Sequence, residues 1–332
     1  MRTLALSPRS LLGCAVLGLA LTATACGTST VNLTVVRPAA INARAYGGTV
    51  TVPAVLPMRP DLNLAAGQLR HEIAVRIQNG LGGTVRLMEV GGGVHVYARL
   101  DDYSENLQSR SRADSCKDTV KEVKDGKTTF KEASVPCTWR WHEWTARVSV
   151  MTQISTATGE MLALRPVTRQ ATGRTTEVRE GQVPLPNLHA VLQGLRQEVA
   201  DEIAWLVVPH SERLNVKFYD CDEPAKAVCE VALRQLADGQ HDASVASFTQ
   251  ALQALENARA PATERAEVLW NRGLVFKYAH RYDEARADLI RAHELDPSME
   301  YAAQIEEIER ARGNHHQLLE QGLQPVQAPG GK

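Results

Sequence analysis

Between residues 239 and 293 the chain comes close to repeating itself. The run Gly239-Gln240-His241-Asp242-Ala243-Ser244-Val245-Ala246-Ser247-Phe248-Thr249-Gln250-Ala251-Leu252 lies over His280-Arg281-Tyr282-Asp283-Glu284-Ala285-Arg286-Ala287-Asp288-Leu289-Ile290-Arg291-Ala292-His293. A unit of this kind is a helical hairpin that cannot bury its apolar face alone, so neighbouring units must stack. Small side chains fall where helices have to approach closely: Ala232 and Gly273 in the first helix of each unit, Ser244 and Ala285 in the second. Phe248 and Leu289 fill the space beside them, followed by Ala251 and Ala292. A further helix, Glu300 to Arg312, would cap the stack, and Pro and Gly after Gln321 predict a disordered tail.

These positions resemble the tetratricopeptide repeat, with Pro297 closing the second unit and His241 standing where that family usually has an aromatic. The offset between units exceeds the family period of about 34 residues, which places a surface insertion around Glu256 to Ala262. The resemblance implies an inner groove for extended peptides, lined by Glu267, Trp270, Leu274 and Lys277, with an exposed Trp270 as anchor. The alternative is that two repeats pack on the preceding domain and leave no free groove.

Upstream, period-two runs alternate with helical ones. Val31 to Val36 reads as a strand, and Ala66, Leu69, Ile73 and Ile77 mark a helix over Leu64 to Gly80. Thr84 to Val90 and Val94 to Leu100 read as strands around a Gly91-Gly92-Gly93 turn. No helix follows those glycines, so they are not a phosphate loop. Trp139 to Thr156 and Met161 to Val167 form a hairpin, with Trp139 and Trp141 on one face and Trp144 on the other. Val191, Leu192, Leu195, Val199, Ile203 and Leu206 define a last amphipathic helix, stopped by Pro209. The fold class is therefore α+β, an antiparallel or mixed sheet flanked by helices, followed by an all-α repeat domain. The boundaries fall at 31–219 for the α+β domain, 220–314 for the repeats and 315–332 for the tail.

The first 30 residues carry an export address. Arg2 and Arg9 precede an apolar run, Leu11 to Leu21, too short to span a bilayer, and Leu21-Thr22-Ala23-Thr24-Ala25-Cys26 follows. This resembles the lipobox of bacterial lipoproteins, although Ala23 stands where a larger aliphatic residue is usual. The resemblance implies a signal peptide over 1–25, acyl chains on Cys26 and a tether over 26–30; ordinary cleavage after Ala23-Thr24-Ala25 is the alternative. Gly27 in place of an aspartate favours the outer membrane, facing the periplasm. In that oxidising compartment Cys116, Cys137, Cys221 and Cys229 form two disulfides, and proximity favours Cys116–Cys137 and Cys221–Cys229 among three connectivities. The first would staple a polar excursion with a hairpin tip at Lys124-Asp125-Gly126-Lys127. No CxxC or CxxH spacing supports a metal site.

The element order over 31–219 resembles the periplasmic domain shared by the curli secretion-channel lipoprotein and the lipoprotein activators of penicillin-binding proteins. The residues that carry it are Val94-His95-Val96-Tyr97-Ala98-Arg99-Leu100 leading to Tyr103-Ser104-Glu105, then Thr158-Gly159-Glu160 before the final helix and Pro209. The excursion between Cys116 and Cys137 and the segment Arg37 to Pro60 depart from that pattern, and neither is an apolar membrane-inserting hairpin.

Lys plus Arg number 37 against 38 acidic residues, a net charge of −1 that gives no general attraction to nucleic acid. No GxSxG, HExxH or GxxxxGK[ST] motif is present, and His210-Ser211-Glu212 are adjacent residues that cannot form a triad. The sequence therefore reads as a non-catalytic envelope lipoprotein without a cofactor, a scaffold or assembly factor that binds protein partners. A secretion-channel subunit and a cell-wall hydrolase are the alternatives.

Overall fold

The computed structural model describes residues 27–124, 127–298 and 301–323, so Cys26, with its signal and lipid, lies outside the described residues. The chain is of mixed α and β class, with nine strands and seven α-helices among the described residues. Its apolar side chains gather into two cores.

The first core lies between a sheet and two helices. Strand β1 is Thr28–Arg37, and the sheet proper begins with β2 (Thr49–Thr51), β3 (Leu56–Pro57) and β4 (Arg86–Met88). The long strands β5 (Val94–Lys124), β6 (Lys127–Thr156) and β7 (Met161–Arg174) complete it, with the short β8 (Val178–Arg179) on β6. The main order is β4-β2-β5-β6-β7, parallel from β4 to β5 and antiparallel after that. Val94, Val96, Ala98 and Leu100 of β5 share one buried surface with Ala146, Val148, Val150 and Ile154 of β6. A register shift between Leu100 and Asp102 moves that surface from the even to the odd residues of β5, so Tyr103 continues it opposite Val148. Helices α1 (Asn63–Gln78) and α2 (Leu188–Trp205) cover it. Leu69, Ile73 and Ile77, at helical spacing, are fully buried against the sheet, and each such burial stabilises by about 1.5–3 kcal/mol.

One ion pair ties the helices together inside this layer. Arg196 of α2 meets Glu72 of α1 at 2.9–3.2 Å and also donates to Tyr103 Oη at 3.4 Å. Both charges are largely buried, so neither can be lost alone without stranding the other.

Beyond the helices β5 and β6 run on as a two-stranded arm. Past the pairing of Trp139 with Arg179 no third strand flanks them among the described residues, and the ladder continues to Lys124 opposite Lys127. The Cys116–Cys137 disulfide crosses the base of this arm, and Val123 and Phe130 near its end are exposed. A two-stranded ribbon is marginal by itself, which gives the cross-link its structural purpose. At the foot of the arm, Arg174 stacks on Trp141 at 4.1 Å. Trp144 lies over Gly173, where an added Cβ would sit 2.3 Å from the indole.

The second core is helical. Helices α3 (Lys226–Ala237) and α4 (His241–Asn257) form one hairpin, α5 (Ala262–Tyr278) and α6 (Tyr282–Leu295) a second, and α7 (Tyr301–Glu320) packs on α6. Ala232, Ser244, Phe248, Ala251, Ala285, Leu289 and Ala292 are fully buried at the helix crossings. A Cβ on Gly273 would stand 3.2 Å from the Ala285 carbonyl oxygen and from Leu289. Arg272 forks onto Asp288 at 2.6 and 2.8 Å and joins α5 to α6. The Cys221–Cys229 bridge sits where the chain enters α3.

Strand β1 does not join the large sheet. It pairs along its whole length with β9 (His210–Tyr219), from Thr28 opposite Tyr219 to Arg37 opposite His210. Val31, Leu33 and Phe218 of this ribbon belong to the helical core, so residues at both ends of the 31–219 segment pack with the helices that follow it. The ribbon needs an apolar surface for its inner face, and the helices supply one. Residues 315–320, expected to belong to a tail, are instead helical: α7 continues to Glu320, and Gln321 bonds both backbone groups of Ala39, at 3.0 and 2.9 Å.

Truncating one partner of the Arg196–Glu72 pair separates the cost of a stranded charge from the worth of the pair. Glu72→Ala is expected to destabilise by about 3–5 kcal/mol, whereas joint replacement by apolar residues of similar volume is expected to cost far less. Urea unfolding of the three chains measures both.

Candidate functional site

A cavity of about 1040 Å³ lies between the β1–β9 ribbon and the helices of the stack. Its helical wall comes from α5, α7 and the turn between α3 and α4, and its other wall from both strands of the ribbon. Of the four residues expected to line a groove, Trp270, Leu274 and Lys277 line this cavity and Glu267 does not. Trp270 is not the exposed anchor expected from the sequence: it is 7% exposed, and its ring stands edge-on to Tyr219 at 6.1 Å. The ribbon lies over the surface that an isolated stack would open to solvent, which is why the indole is covered. Lys277 is also buried, its ammonium 2.6 Å from Glu307 of α7. Tyr278, half-buried beside it, has its phenol pushed up to about 12, by burial first and the Glu307 charge second.

Asn271, next to Trp270, fixes the end of β9 that borders the cavity, and sequence reasoning passed over it. It is fully buried, and its amide accepts from the Tyr219 N–H at 2.9 Å and donates to the Tyr219 carbonyl at 2.8 Å. A polar amide inside the apolar run Leu269-Trp270-Asn271 was the signal for it, since a buried amide has to find partners.

The mouth of the cavity holds three histidines. The His280 and His315 rings meet edge-to-face at 4.3 Å, and His280 Nδ1 lies 2.9 Å from Tyr282 Oη. Burial of the ring, helped by His315 and His241, pushes the His280 pKa down to about 4, even though part of the residue stays open to solvent. Burial likewise lowers His315 and His241. Among the described residues no group of three or more His, Cys, Asp or Glu side chains converges as a metal shell. None of their helices is long and apolar enough to cross a membrane. The sequence-favoured pairings Cys116–Cys137 and Cys221–Cys229 are the two bonded pairs.

The fold is thus a sheet-and-helix layer joined through a ribbon to a stack of helical hairpins. No family profile matches the chain, and no curated protein does. Among solved structures, a dodecamer of a PelC point variant from Paraburkholderia phytofirmans is similar to part of it, at 13% identity and a TM-score of 0.24, covering 53% of this chain and 98% of that one. A score so low leaves function to be read from this chain's own residues.

The depressed His280 has a measurable consequence. Its folded pKa of about 4 lies below the ordinary 6.5, so between those values the unfolded chain binds more protons. Stability from this site is complete above about pH 6.5 and falls as pH is lowered towards 4. Asn tolerates the left-handed backbone at this position, φ +61°. Thermal melts of His280→Asn are expected to lose part of the acid sensitivity of the parent over that range; identical pH profiles would contradict the assignment.

Proposed function

We propose that this is a non-catalytic lipoprotein of the bacterial cell envelope that holds a protein partner at the junction between its ribbon and its helical stack. The observation that carries the reading is the cavity itself: an aromatic and aliphatic wall of Trp270, Leu274 and Tyr278 beside a few placed polar groups, which is the make-up of a recognition site. The two hairpins are read as tetratricopeptide-like repeats on the strength of Gly273, Ala232, Ser244 and Ala285 at the helix crossings. In this reading acyl chains on Cys26 anchor the molecule at the outer membrane, facing the periplasm. The two disulfides fit an exported chain. Confinement to a surface raises the effective concentration of the site towards membrane-bound partners, and several acyl chains hold where one would not.

In-cell photo-crosslinking tests this. A photoreactive residue in place of Lys217, at the cavity, is expected to give a discrete protein adduct that the same residue in place of the exposed Leu185 does not. Cys26→Ser is expected to remove fatty-acid label and lower the adduct yield severalfold. Equal label on both chains would end the anchoring claim, and no adduct at Lys217 would end the recruiting one.

A further inference from the structure

The edge of β9 that faces the helices has one end occupied by a side chain that behaves as a strand would. In an antiparallel pair, residues alternate between those bonded to the neighbouring strand and those whose N–H and C=O point outwards. Tyr219 sends both of its backbone groups to Asn271, so its pairing with Thr28 is of the second kind. The register is unbroken, which places Lys217 and Asn215 in the same outward phase. Both line the cavity, and no hydrogen bond answers their outward N–H and C=O groups among the described residues. Asn271 supplies to Tyr219 one donor and one acceptor, which is what a residue of an adjacent strand supplies.

We propose that the cavity takes an extended segment of a partner protein as a third strand on β9, antiparallel or parallel to it, continuing the edge that Asn271 begins. This mode obtains affinity from main-chain hydrogen bonds and selectivity from alternate side chains. Its two faces differ here. Side chains on the Val216 and Phe218 side turn to the helices, where Leu274 and Trp270 wait; Phe218 is buried and Val216 half-buried. Those on the Lys217 side turn to solvent, where Lys217 is exposed. Lys217 and Arg310 line the cavity without an acidic partner among the described residues and outnumber the one unmatched lining carboxylate, Asp238, while Lys277 and Arg37 are matched by Glu307 and Glu212. The charge left over is positive, so the segment that fits alternates apolar with acidic residues. Pairing along β9 from Ser211 to Lys217 would take about seven residues at about 3.4 Å each.

This rests on the recruiting role proposed above, and the test separates the two. The probe is a pool of fluorescent decapeptides with Asp or Glu at alternate positions and mixed apolar residues between, added to the full chain in detergent and read by anisotropy. Asn215→Pro removes an outward N–H that β1 does not use, a substitution that edge strands accept. The expected result is binding of the acidic pool, loss of about tenfold or more in affinity with Asn215→Pro at an unchanged melting temperature, and loss with peptides N-methylated at alternate residues on the unaltered protein. Strand addition is overturned if the acidic pool does not bind, if a pool with Lys in place of the acids binds as well, or if N-methylated peptides bind as tightly as their parents. A Lys217 adduct in cells that survives Asn215→Pro would keep the recruiting role and remove this mode of it.

Discussion

Two side-chain amides hold the ribbon in place, and the arrangement of the molecule follows from them. Asn271 answers both backbone groups of Tyr219 at one end of the β1–β9 pair, and Gln321 answers both of Ala39 just beyond the other. Each amide is almost wholly buried, so losing either bond would leave polar groups without water. Because Asn271 lies in the helical stack and Gln321 follows its last helix, the ribbon is bound to the helices by hydrogen bonds as well as by Val31, Leu33 and Phe218. The cavity lies between this ribbon and the helices it is bound to.

Much of this was legible where one face of an element is buried. Leu69, Ile73 and Ile77 spell out α1, and Leu192, Leu195, Val199 and Ile203 spell out α2, because burial on one side enforces a 3.6-residue period. The small residues at 232, 244, 273 and 285 mark helix crossings for the same reason. Of the arm only the tip was legible, as a hairpin closing between Lys124 and Lys127; its long strands were not. Residues 104–124 are nearly all exposed, so no apolar alternation marks them, and pairing with β6 alone makes them extended. The run Val31 to Val36 reads correctly as a strand, but no local pattern says that its partner is β9 rather than the sheet that follows. Residues 315–321 were assigned to the tail because nothing local shows that Gln321 is anchored by a residue far away in sequence.

The candidate site was visible in part. Trp270, Leu274 and Lys277 could be named from repeat spacing, and they share one cavity. Their burial was one of the two arrangements open to the repeats, and the choice between them depends on the ribbon crossing the face they line, which no local pattern states. Asn215 and Lys217 were invisible because their relevance lies in backbone direction, which strand register sets and residue type does not. The result is a site built from one covered helical face and one unpaired strand edge. Within it, apolar side chains and main-chain donors are offered together, a combination suited to an extended chain.

Hydrogen exchange across residues 210–219 in the parent and in Asn271→Ala tests the central claim most directly. If the ribbon belongs to the helices, the variant loses protection in β9 and in α3–α6 together while β5, β6 and α1 keep theirs. Protection of β9 that is unchanged by the substitution, or that rises and falls with the large sheet, would contradict it.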